Sequence, residues 1–149
     1  MHHRRSVLLT LLLAGCTSAG TSQEARAPHL TQSTLDGKLW VPTGYAVREF
    51  ARVPGVRWMA LGPDGAIYVS RPRDGEIVRL LDADGDGVAE SQTVVVRGLT
   101  RPHGLTFRDG WLYIANTGAV VRVRLDAGAG MAAVGTPETV ATYSASGGH

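Results

Sequence analysis

The chain has 149 residues, 44% of them apolar, which is enough for one domain with a packed core. Its formal net charge is +2, from 15 Lys and Arg against 13 Asp and Glu. Arg4 and Arg5 belong to a leader-like start, and without them the balance is 13 to 13, which leaves no electrostatic case for binding nucleic acid.

Residues 1–16 read MHHRRSVLLTLLLAGC: a cationic start, an apolar run from Val7 to Leu13, then small residues. That run is too short to remain as a membrane-spanning helix and reads as a cleaved export signal. Leu13-Ala14-Gly15-Cys16 resembles the lipobox of bacterial lipoproteins, in which the cysteine is lipidated and becomes the first residue. The alternative is a buried or incidental thiol. Cys16 is the one cysteine of the sequence, so no disulfide braces the exported part. The expectation is a periplasmic or cell-surface lipoprotein that meets the membrane through its lipid anchor only. Residues 17–38, rich in Ser, Thr, Ala and Gln, read as a flexible tether. Order is expected to begin near Leu39, and Tyr45 to Val53 (YAVREFARV) reads as an exposed strand.

The next part of the chain is a repeat. Residues 57–82, RWMALGPDGAIYVSRPRDGEIVRLLD, recur as residues 102–126, PHGLTFRDGWLYIANTGAVVRVRLD. Laying Asp64-Gly65 on Asp109-Gly110 gives a period of 45 residues and sets Ile67, Tyr68 and Val69 over Leu112, Tyr113 and Ile114. A slip of one residue then sets Leu81-Asp82 over Leu125-Asp126. In the first unit, Pro63-Asp64-Gly65 turns into a strand over Ala66 to Ser70, and Arg73-Asp74-Gly75 turns into a strand over Glu76 to Leu81. Thr93 to Arg97 is the outer strand. The second unit starts at Pro102, turns at Arg108-Asp109-Gly110, and continues through strands Trp111 to Ala115 and Val120 to Leu125. In the latter, Val121, Val123 and Leu125 face inward and Arg122 and Arg124 outward. Glu138 to Tyr143 is its outer strand, and Ser144 to His149 begins a third unit.

A β-rich period of this length is the signature of propeller blades, so the fold class is all-β, with about two blades and an N-terminal strand over residues 39–149. Two blades do not close a ring. The chain is therefore expected to be a partial product whose outer strands present unpaired edges and aggregate or misfold.

Three places could carry chemistry. Asp82, Asp84, Asp86, Gly87 and Glu90 form D-x-D-x-D-G-x-x-E, whose converging hard oxygens suit a structural Ca²⁺. The loop is not an EF-hand, because Thr93 stands at the twelfth position and Glu90 must close the site. The alternative is a solvated Asp/Gly hairpin. His103, in Arg101-Pro102-His103-Gly104, starts an innermost strand and either caps the blade through a backbone hydrogen bond or contacts a ligand in the channel mouth. His149, after Gly147-Gly148, reads from composition as a flexible tail.

The run from Trp40 to His149 resembles the N-terminal part of the soluble glucose/sorbosone dehydrogenases, six-bladed propellers that use pyrroloquinoline quinone. The matching elements are LWVPTGYAVREFARVPGVRWMALGPDGAIYVS, RLLDADGDGVAE, GLTRPHGLTFRDGWLYIAN, VVRVRLD and the final GGH, in order over about 110 residues. The resemblance implies oxidation of the C1 hydroxyl of a sugar or aldose, with hydride passing to the quinone beside calcium. His149 matches the family's general base, and His103 is the candidate contact to the cofactor. The groups that hold the quinone and its calcium come from later blades in that family, so this chain alone is expected to be inactive. Two other functions remain open: a non-catalytic propeller binding a carbohydrate or protein, and a structural blade pair that oligomerises, for instance three copies to a ring.

Overall fold

Short runs of alternating or continuous apolar residues, each bounded by Gly- and Asp-containing turns, can satisfy their backbone groups only by pairing with one another. They do so as meanders. The computed structural model describes residues 30–32 and 39–145 and is all-β, apart from one 3-10 turn at Ala127–Ala129 among the described residues. Strands β1 (Leu30–Gln32) and β2 (Trp40–Pro42) pair as a small ribbon, so part of the stretch expected to be a tether is a strand. Sheet 1 has the order β3 (Trp58–Leu61), β4 (Ile67–Arg71), β5 (Glu76–Leu81), β6 (Ser91–Val96). Sheet 2 runs β7 (Gly104–Arg108), β8 (Trp111–Asn116), β9 (Ala119–Asp126), β10 (Ala132–Thr142). Both are four-stranded and antiparallel throughout.

Register sharpens the repeat. Tyr68 lies between Ala60 and Arg79, and Tyr113 between Thr106 and Arg122. Arg79 therefore corresponds to Arg122, 43 positions on, and not to the residue expected from a slip of one. The cause is a turn. β4 and β5 are joined through the Arg71↔Glu76 pair and four intervening residues, whereas Asn116↔Ala119 closes the β8–β9 hairpin over Thr117-Gly118 alone.

The sheets stack face to face. Tyr68, Ile77 and Val96 of sheet 1 and Leu112, Ile114 and Val123 of sheet 2 are almost wholly buried in one cluster. Full burial of each such side chain contributes about 1.5–3 kcal/mol. At its centre the Tyr68 and Phe107 rings meet edge to face, 4.8 Å between centroids. The inward set expected for the third strand of the second unit is found, with Val121 and Val123 buried, Leu125 packed on the core and Arg124 exposed.

Residues Tyr45 to Val53 do not form the expected strand. Apolar residues stand at 45–47, 50, 51 and 53, without the strict alternation of a half-buried strand, and the last three are the ones that pack on a sheet. Phe50, Ala51 and Val53 lie as a strap over Val69, Val78 and Leu80 on the outer face of sheet 1. Backbone and side-chain bonds pin the strap: Ala89 N–H to the Phe50 carbonyl (2.8 Å), Arg48 Nη1 to the Asp86 carbonyl (2.9 Å) and Arg71 Nε to the Pro54 carbonyl (3.0 Å). The outer face of sheet 2 is different. There Trp111 lies beside the guanidinium groups of Arg122 and Arg124, 4.2 and 4.3 Å from its ring centroid. The last strand, β10, pairs with β9 through two register breaks, between Val134 and Glu138 and between Thr139 and Ala141, with Gly135 at φ +73° in the first.

Gly62 marks the tightest approach to the core. A Cβ there would lie 2.2 Å from Tyr68 Cε2 and 2.5 Å from Asp64 Oδ1. Gly62→Ala is expected to cost about 2 kcal/mol by forcing Tyr68 off its seat. Urea unfolding would check this, and an unchanged midpoint would show that the ring can move freely.

Candidate functional site

The acidic loop joins β5 to β6. One carboxylate oxygen from each of Asp82, Asp84, Asp86 and Glu90 can be chosen so that all lie within 4.8 Å of one another. The local sequence explains the shape. Asp82 accepts from Gly85 N (2.7 Å) through Oδ1 and from Gly87 N (2.9 Å) through Oδ2. Asp84 Oδ1 accepts from Asp86 N (3.1 Å), Asp86 Oδ1 from Val88 N (2.8 Å), and Glu90 Oε2 from Ala83 N (2.6 Å). Such bonds from short acidic side chains to nearby backbone N–H groups set a tight loop. Gly85 and Gly87 take positive φ, +79° and +88°, where a side chain would be strained. Glu90 thus reaches back across the loop, as its expected closing role requires. Asp82 is half-buried and the other three are exposed.

His103 immediately precedes β7, the edge strand of sheet 2, and is half-buried. Its backbone N–H bonds the Ala115 carbonyl at 2.9 Å, and its Nδ1 lies 3.2 Å from the Arg101 carbonyl. With the proton on Nδ1 the ring donates to that carbonyl. His103 and the acidic loop lie on different sheets and at opposite ends of the strand register, so they form no common site. Cys16 and His149 lie outside the described residues.

A group the sequence reading treated only as a turn residue proves to organise the first meander. Asp64 Oδ2 accepts from Arg79 Nε at 2.6 Å and from the Tyr68 hydroxyl at 3.2 Å. The Tyr68 hydroxyl is held well above its ordinary pKa by burial first and then by the Asp64 charge. Burial alone raises Asp64, but the bond and charge of Arg79, its own backbone N–H and the Tyr68 hydroxyl outweigh burial and leave the carboxyl below its usual value. The second unit varies the theme. Arg122 bonds Tyr113 and Glu138, while Asp109 turns to Arg108. The recurrence of Asp, Tyr and Arg at 64, 68, 79 and 109, 113, 122 is the sequence signal that would have found it.

Two depressions among the described residues are open grooves. One, about 270 Å³, is lined by Thr100, Asn116, Thr117 and Thr139 with no charged group. The other, about 340 Å³, runs between β6 and β10 and has Arg97 as its one charge. Pyrroloquinoline quinone is a planar tricarboxylate and needs an enclosed slot with several cations. Neither groove fits it. The acidic loop, by contrast, fits Ca²⁺: oxygens on opposite sides of that ion lie about 5 Å apart. No family model, curated protein or solved structure matches the chain.

The Asp64 group sets a direction for acid sensitivity. Its folded pKa is depressed, so its contribution is complete above the unfolded carboxylate value and fades as pH falls through the folded one. Stability is expected to drop below about pH 4, and Asp64→Asn should flatten that slope while costing about 2 kcal/mol at neutral pH. Thermal melts from pH 7 to pH 2 check it; parallel curves for the two proteins would contradict it.

Proposed function

We propose that this chain carries the first two blades of a propeller that oxidises the C1 hydroxyl of a sugar or aldose with a quinone cofactor, in an exported lipoprotein anchored through Cys16. The carrying observation is the ordered placement of motifs on two successive four-stranded meanders. GPDG precedes β4, DADGDGVAE joins β5 to β6, RPHG enters β7 and VVRVRLD forms most of β9. In this reading the blades are frame, and His149 takes the proton from the substrate hydroxyl. The quinone-binding groups belong to later blades, in keeping with the two open grooves described above, which offer a single cation, Arg97, between them. The Asp82–Glu90 loop is then a structural Ca²⁺ site that stiffens the first blade, separate from the catalytic calcium that the resemblance implies.

The chemistry is tested by dye-linked aldose oxidation after addition of quinone and calcium. Residues 1–149 alone are expected to show none. In a protein that continues past His149, His149→Gln should lower turnover about 10²- to 10⁴-fold with quinone binding retained. Unaltered turnover would remove His149 from the base role, and sugar oxidation by residues 1–149 alone would overturn the assignment of the quinone site to later blades. The structural calcium has its own test. Adding Ca²⁺ should raise the melting temperature by several degrees, about 1–2 kcal/mol of linkage at tenfold or greater excess over Kd, and Asp84→Asn should abolish the rise. If melting and loop NMR shifts ignore Ca²⁺, the loop is a solvated hairpin.

A further inference from the structure

The two outer faces of the sheet pair match each other through the repeat. Register makes Met59, Leu61, Ile67 and Val69 of sheet 1 the counterparts of Leu105, Phe107, Leu112 and Ile114 of sheet 2. The latter four all pack in the buried seam against sheet 1. Their counterparts look outward: Leu61 is 67% and Met59 64% exposed. Conversely Tyr68, which is buried against Phe107, has as its counterpart Tyr113 on the outer face of sheet 2, beside Arg122 and Trp111. The outer face of sheet 1 therefore has the character of a surface that receives a sheet, and the outer face of sheet 2 that of a surface that is received.

We propose that these faces join copies of this chain head to tail, the outer face of sheet 2 of one copy seating on the outer face of sheet 1 of the next. The contact repeats the seam already present inside the chain, with Tyr113 meeting Leu61 as Tyr68 meets Phe107. Charge runs the same way. The acidic loop flanks the receiving face, where Ala89 packs with the strap residues against Val69, Val78 and Leu80, while the inserting face carries Arg124 over Trp111 and the pairs Arg122–Glu138 and Arg108–Asp109. The strap bears on the same seat: Phe50 and Val53 cover Val69, Val78 and Leu80, the counterparts of Ile114, Val121 and Val123. It holds that seat until a second copy displaces it. Because the two faces differ, the contact is heterologous, and copies add to one another or close a ring according to the angle between them. The inference concerns residues 1–149 on their own and is independent of the dehydrogenase reading, in which neighbouring blades of one propeller would take the same two faces.

A complementation experiment tests it. Leu61→Glu spoils only the receiving face, and Thr106→Glu, at the exposed counterpart of Ala60, spoils only the inserting face. Sedimentation should show wild type associating with concentration, each variant alone as a monomer, and their mixture as one-to-one dimers, since one intact interface survives between them. Phe50→Ser should shift wild-type association to about ten-fold lower concentration. Circular dichroism and melting temperature establish that each variant is folded. A wild type that stays monomeric, variants that still associate, or a mixture that fails to dimerise would each overturn the proposal. Association unaffected by Phe50→Ser would remove the strap from it.

Discussion

The rest of the structure depends on the seam between the two sheets, and the seam depends on Tyr68. Its ring meets Phe107 edge to face, its hydroxyl reaches Asp64, and the backbone of Gly62 leaves room for both. An apolar ring at the same place would fill the volume but would leave Arg79 and Asp64 with fewer partners at the rim of a dry interface. A four-stranded sheet cannot bury both its faces unaided. Each meander here therefore acquires a stable face only through the other, and Tyr68 ties that face to the charged rim.

The strap and the acidic loop form one mechanical unit on the far side of sheet 1. The loop is shaped by its own aspartates and glycines, and it in turn holds the strap through the Ala89 N–H and the Asp86 carbonyl. Anything that stiffens the loop thus presses Phe50 and Val53 onto sheet 1. Anything that loosens it frees an apolar face. On this geometry a cation held by the loop would oppose the proposed self-association through that face.

Much of the fold was legible because its information is local. β5 (Glu76–Leu81) has the expected bounds, β8 runs one residue longer at its end, and β4 and β9 differ from expectation by one residue at each end. Their apolar runs are punctuated by Asp-Gly or Thr-Gly turns that leave little choice of register. β10 was read as starting at Glu138 but starts at Ala132, since Gly135 and Pro137 look like a break and are in fact housed in a register shift. The strap has the composition of a strand without being one, because aromatic and β-branched residues report burial as readily as pairing. The same division holds for the sites. The acidic loop could be read from spacing within nine residues. The Asp64–Tyr68–Arg79 group depends on which residues two strands bring opposite each other, and that depends on turn length.

The irregular β10 bears on how such a chain can fail. An outermost strand with regular spacing would offer a free ladder to any extended segment nearby. Here Pro137 has no N–H to give, and two register breaks spoil the spacing of the groups around it. Lateral growth, strand upon strand, is therefore obstructed along the outer rim of sheet 2. The chain is thus protected from fibre-like extension at that rim, and the proposed stacking of sheet on sheet would be governed instead by the strap over sheet 1.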